Sequence, residues 1–145
     1  MTQIAFHVNV PDKLAYSCRL LRKAYLSGAQ VMVTAEPDVL LELDHWLWRF
    51  SATEFVPHCR AGAPEATLAA SPIVLAKSLT VCLHHEVLLN LGQRIPAGFE
   101  AFERLIEVVQ EAHDEVLAGR DRWRHYVAKG YTPIKHERVQ PGVPA

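Results

Sequence analysis

The densest group of potential metal ligands in the chain is Cys82, His84, His85 and Glu86, in a sequence of eight histidines and three cysteines. A zinc site needs three or four ligands converging on one point, and a Cys-x-x-Cys pair or a His-Glu-x-x-His helix would supply that spacing. Neither is present, Cys82 falls within an apolar run and His84-His85 mark its exit, so no metal is expected. Cys59 follows His58 as a nucleophile beside a base, but neighbours on a strand project to opposite faces and seldom pair. His58 is read as bonding its own loop. No Gly-x-Ser-x-Gly elbow occurs.

Phosphate chemistry needs glycines that let backbone N–H groups approach the anion. After the first apolar alternation the chain reads Val8-Asn9-Val10-Pro11-Asp12-Lys13, with no glycine and one N–H removed by proline. Neither Gly-x-Gly-x-x-Gly nor a Walker lysine appears, and Lys13 is read as a solvated surface lysine. No catalytic residue and no cofactor is expected. A small α/β nucleotide- or small-molecule-binding enzyme, with its site at the carboxyl ends of the strands, stands as the alternative.

Two stretches offer non-covalent chemistry. Leu43 to His58 contains Trp46, Trp48, Phe50 and Phe55, more large aromatics than one helix face of a small domain buries. This suggests a docking surface, or else a core helix with both tryptophans inside. Trp46 and Trp48 point about 160° apart around a helix axis, and Trp46 is given no role. Near the C-terminus, a helical wheel places Ala112, Val116, Trp123 and Val127 on an apolar stripe with Tyr126 at its edge. Arg120 and Arg124 lie together along the other edge, and Arg122 points away. This is either an ordinary amphipathic helix or a site where guanidinium forks beside an aromatic wall take a carboxylate-bearing peptide.

The elements that carry these stretches follow from periodicity. Ile4 to Val10 alternates as a strand, and Pro11-Asp12 opens a helix through about Leu26 that Ser27-Gly28 ends. Gln30 to Thr34 reads as a fully buried strand, and Glu36-Pro37-Asp38 starts a helix to Phe50. This order predicts a single three-layer α/β domain, a mainly parallel sheet flanked by helices, Rossmann-like without the glycine-rich loop. Cys59 to Pro72 reads as loop, Ile73–Leu75 and Leu79–Leu83 as strands, and Leu88–Gly98 as irregular. Leu105–Val109 fits a strand, while Phe99–Gln110 fits a helix equally well. Glu111 to Lys129 is the final helix. The domain is expected over residues 1–131, with residues 132–145 a loosely attached tail.

Composition bounds the function. The chain has 145 residues, half of them hydrophobic, and a formal net charge of -1. That suits one core without metal or disulfide help. Near-neutral charge argues against gripping nucleic acid through the whole surface, including as a direct single-stranded DNA binder. Three widely spaced cysteines (Cys18, Cys59 and Cys82) read as reduced thiols of a cytoplasmic protein. No apolar run approaches the roughly 20 residues that span a bilayer, so no membrane association is expected.

Asp44, Leu47-Trp48, Phe55-Val56-Pro57-His58 and Ala61-Gly62, with Arg120 to Tyr126 and Gly130-Tyr131, resemble the chi subunit of bacterial DNA polymerase III holoenzyme. The order of elements fits over most of residues 3–131. The resemblance implies an accessory, non-catalytic subunit that bridges psi, and through it the clamp-loader complex, to the acidic C-terminal tail of single-stranded DNA-binding protein. It carries psi contact to Trp48, Phe55, Val56 and Pro57. It carries tail contact to Arg120, Trp123 and Arg124, with Arg122, Tyr126 and Tyr131 as further candidates. A tryptophan stands where the family often has tyrosine, and an arginine where it often has lysine.

Overall fold

Apolar alternation builds the first strand, β1 (Gln3–Val10), with Ile4, Phe6 and Val10 buried. The structure is a computed structural model that describes residues 1–49, 56–80, 82 and 84–137. Helix α1 (Lys13–Leu26) starts at Asp12, whose carboxylate accepts the N–H groups of Leu14 and Ala15 at 3.1 and 3.2 Å. Strand β2 (Val31–Thr34) is buried along its whole length. Helix α2 (Pro37–Arg49) buries Leu40, Leu43 and Leu47, one stripe at helical spacing. Then follow β3 (His58–Arg60), α3 (Glu65–Ala70), β4 (Ile73–Ala76), β5 (Val87–Asn90), a 3-10 turn (Phe99–Ala101), β6 (Arg104–Gln110), α4 (His113–Ala128) and β7 (Ile134–Glu137).

The described strands form a seven-stranded sheet in the order β3-β4-β2-β5-β6-β1-β7, and its pairings are parallel. The expected three-layer α/β architecture is the observed one. Strand side chains alternate between two cores. One packs Val31, Val33, Ile73, Leu75 and Leu89 beneath α1 and α2. The other packs Phe6, Met32, Val74, Leu88, Leu105 and Val109 beneath Leu68 of α3, Phe99 and Tyr126 of α4.

Several sequence expectations are corrected. Of the described residues of Leu79–Leu83, Leu79 and Thr80 lie in a turn and Cys82 is in neither helix nor strand, and the strand lies instead at Val87–Asn90, in and just before the stretch read as irregular. Its Asn90 is buried yet compatible with a strand, because its side chain bonds Thr34, Glu107 and the Arg94 carbonyl. The stretch read as loop from Cys59 contains part of β3 and α3. Ile134–Glu137, within the expected loose tail, pairs with β1 through backbone hydrogen bonds. Residues 138–145 lie outside the described residues.

Candidate protein-docking surfaces

The first aromatic stretch spans the end of α2 and the start of β3. Trp48 is 60% exposed, and Trp46 and Leu41 are partly exposed on the same helix. Trp48 meets the His58 ring edge-on, with centroids 5.4 Å apart. His58 is itself fixed: its Nδ1 lies 2.7 Å from the Val56 carbonyl oxygen and its Nε2 3.0 Å from Asp44 Oδ1, each within hydrogen-bond distance. The loop-bonding role read for His58 is therefore what its geometry shows. Asp44 and Trp48 are four residues apart on one face of α2, so one buried imidazole ties both to β3. The spacing Asp-x-x-x-Trp followed by His was the available signal for this linkage. Of the other residues in this group, Val56 is buried, Pro57 is half-buried, and Phe55 lies outside the described residues. Val56 supports the surface from below and offers no contact area of its own.

On the other side of the sheet, α4 sits with Gly119 against β6. A Cβ at Gly119 would lie 3.0 and 3.2 Å from the Val109 methyls, so the missing side chain allows this close approach. Arg122 and Tyr126 point inward. Arg122 Nε donates to Glu107 Oε1 at 2.9 Å, the Tyr126 hydroxyl donates to Glu107 Oε2 at 2.6 Å, and Asn90 Nδ2 donates to Glu107 Oε1 at 2.9 Å. Burial pushes the Glu107 carboxyl above the ordinary carboxylate range, against the opposing pull of the Arg122 guanidinium and these bonds. Burial and the neighbouring Glu107 likewise raise the Tyr126 phenol.

Arg122 and Tyr126 are thus core residues, which corrects their candidacy for peptide contact. The buried stripe of α4 runs through Gly119, Arg122 and Tyr126, and Val127 is 51% exposed, contrary to the apolar stripe read from the wheel. The outward face carries Leu117, Arg120, Arg124 and Val127, which share one side at 100° per residue. Trp123 lies half-buried at the boundary of that face, its ring edge-on to Phe6 at 5.1 Å. Tyr131 is half-buried beyond the helix, 5.4 Å from the Phe99 ring. Arg124 Nη1 reaches Asp121 at 2.9 Å, an exposed pair within the helix. Arg120, Trp123 and Arg124 therefore stand together, with two exposed apolar neighbours: Leu117, which the wheel did not assign, and Val127, which it placed on the apolar stripe.

The residues weighed for enzymatic chemistry are engaged separately. The Cys82 thiol donates to the His84 carbonyl, the His85 ring lies against Phe102, and Glu86 accepts the Gln30 N–H. Among the described residues no group of three or more His, Cys, Asp or Glu side chains converges as metal ligands would. Lys13 is not the solvated lysine expected. Its ammonium lies 2.6 Å from Glu115 and donates to the Leu91 carbonyl at 2.9 Å, and its N–H bonds the Gln110 side chain. This cluster occupies the place where β1 leads to α1 on one face and neighbouring β6 leads to α4 on the other, a crevice where doubly wound sheets take ligands. No helix among the described residues is long and apolar enough to cross a membrane.

The family model described as DNA polymerase III chi subunit, HolC, matches residues 1–133. DNA polymerase III subunit chi of Pseudomonas aeruginosa is 32% identical over 145 residues, covering 96% of this chain and 98% of that protein. DNA polymerase III subunit chi of Haemophilus influenzae is 29% identical over 120 residues, covering 79% of this chain and 80% of that one. The chain belongs to the DNA polymerase III chi subunit family.

Proposed function

We propose that this chain is a non-catalytic accessory subunit of a bacterial DNA polymerase III holoenzyme that tethers two partners. The surface of Trp48 and Pro57 takes psi, which links the chain to the clamp-loader complex, and the family resemblance assigns Phe55 to the same contact. The α4 surface of Arg120, Trp123 and Arg124, edged by Tyr131, takes the acidic C-terminal tail of single-stranded DNA-binding protein. The observation that carries this reading is the pairing of an exposed tryptophan, backed by an anchored histidine, with an exposed arginine stripe on the opposite face of the sheet.

Each surface has the chemistry its partner requires. An exposed tryptophan on a braced backbone supplies contact area at low ordering cost. Arginines beside an aromatic edge suit a peptide with carboxylates and an apolar end. Arg124→Ala should abolish calorimetric binding of a synthetic acidic tail peptide while leaving psi co-purification intact. Trp48→Asp should do the reverse. Undiminished peptide affinity in the first variant, or intact psi association in the second, would remove the corresponding surface from the proposal.

A further inference from the structure

A second crevice lies where the carboxyl ends of β2, β4 and β5 meet, with a volume of about 720 Å³. It sits at a change of direction in the sheet. The chain leaves β2 toward the α1–α2 layer, and leaves neighbouring β5 toward the layer that holds Ile95 and Phe99. Ligands of open parallel sheets bind at such points, and the volume falls within the usual range for small-molecule clefts.

The charge of the lining differs from that of the whole chain. Lys77 and Arg94 are exposed there, and neither forms an ion pair among the described residues. Ser78 and Thr80 add hydroxyl groups, bonded to each other at 3.0 Å. The lining carboxylate, Glu36, accepts the Gln93 N–H at 3.0 Å. A molecule of net charge -1 therefore presents a locally cationic cleft. Its polar floor is preorganised: Asn90 accepts from Thr34 at 3.1 Å and from the Gly92 N–H at 3.0 Å, and donates to buried Glu107. Leu79 and Ile95 contribute aliphatic surface, which inorganic phosphate would leave unused.

We propose that this crevice binds an organic phosphate of about nucleotide size, with Lys77 and Arg94 holding the phosphate and Leu79 and Ile95 facing the organic part. The site is separate from both docking surfaces and does not depend on their assignment. Amide-resolved NMR titration of the full chain with ADP, CMP and ribose 5-phosphate tests it, with inorganic phosphate and a short oligothymidylate as further arms. At least one organic phosphate should give saturable shifts at Ser78, Thr80, Gly92 and Gln93, bind more tightly than inorganic phosphate, and weaken about tenfold or more in Lys77→Ala/Arg94→Ala. These are exposed side chains, so the double variant should retain its fold. Any of four results would overturn the proposal: no saturable shift with any organic phosphate at about 10 mM, equal affinity for inorganic phosphate, full affinity in the double variant, or tighter binding of the oligonucleotide at the same amides.

Discussion

Arg122→Met isolates the energetics that hold α4 in place. The substitution removes a guanidinium from a pair whose side chains are 5% and 0% exposed. Glu107 keeps the Tyr126 hydroxyl and the Asn90 amide but loses its cationic partner. Breaking a buried pair from one side costs about 3–5 kcal/mol, a large share of the 5–15 kcal/mol typical of a whole domain. The stranded carboxyl can escape by taking up a proton. Burial already raises Glu107, and Arg122 is the largest opposing influence, so the variant's carboxyl should titrate higher still. A carboxyl raised in the folded state favours folding fully below its unfolded value of about 4.3. That contribution is lost as pH rises through the folded value. Wild type stops losing stability once its own Glu107 is ionised, whereas the variant continues at up to about 1.4 kcal/mol per pH unit. The penalty should therefore be smallest near pH 5 and widen toward pH 8. Urea denaturation followed by far-ultraviolet circular dichroism at pH 5, 6, 7 and 8 measures it. A penalty below about 1 kcal/mol, or one that does not change with pH, would refute this account of the network.

Asp121→Asn should tighten binding of an acidic tail peptide, because Arg124 no longer shares its guanidinium with a carboxylate 2.9 Å away. Exposed pairs are worth about 0.2–1 kcal/mol, which is about 1.5- to 5-fold in affinity, and the gain should shrink at high salt. Calorimetry at two ionic strengths checks both. His7 has its pKa lowered to about 4, first by burial and then by the charge of His136. Its folded value lies below the unfolded value of about 6.5, so its contribution is present above pH 6.5 and is lost as pH falls toward 4. His7→Gln should accordingly lose less thermal stability than wild type between pH 7 and pH 4.5. Burial lowers His84 in the same direction, and neither of its ring nitrogens has a hydrogen-bond partner among the described residues. The His7 variant should thus keep part of the acid sensitivity.

The first fifty residues were legible because their periods are clean. Ile4 and Phe6 alternate into one core, Val10 enters the other beyond the register shift after His7, and Leu40, Leu43 and Leu47 follow the helix. Leu79–Leu83 misled because apolar content alone does not make a strand, and its Leu79 and Thr80 lie in a turn. Val87–Asn90 was hidden because it ends in Asn90, whose burial is explained by groups elsewhere in the chain. The orientation of α4 was illegible for the same reason. Its buried stripe of Gly119, Arg122 and Tyr126 looks polar until Glu107 of β6 is placed opposite. A glutamate inside the apolar run Leu105–Val109, followed by a helix with a central glycine, was the available hint. Strand β7 carries no apolar alternation to read, and β1 holds it through backbone bonds. At the docking surfaces, the family resemblance singled out Trp48, Arg120, Trp123 and Arg124, but separating them from Val56, Arg122 and Tyr126 required burial.

The sheet also bears on whether both partners could be held at once. Helix α2 packs near β3 and β4 on one face, and α4 packs on β6 on the other. Strands β2 and β5 intervene between β4 and β6, which separates the two helices laterally by about 14 Å at the usual strand spacing. Partners approaching from opposite layers at that offset need not compete for space. The two proposed contacts also differ in kind, one aromatic and weakly screened, the other guanidinium-based and strongly screened at the Debye length of about 8 Å. A weak tail contact made by an already anchored subunit becomes effectively intramolecular, so its affinity can be modest and salt-sensitive while the assembly holds. Raising the salt concentration over a psi-bound complex should then release the acidic tail first and leave the aromatic contact in place. Release of both together would mean that the two surfaces are not energetically separate.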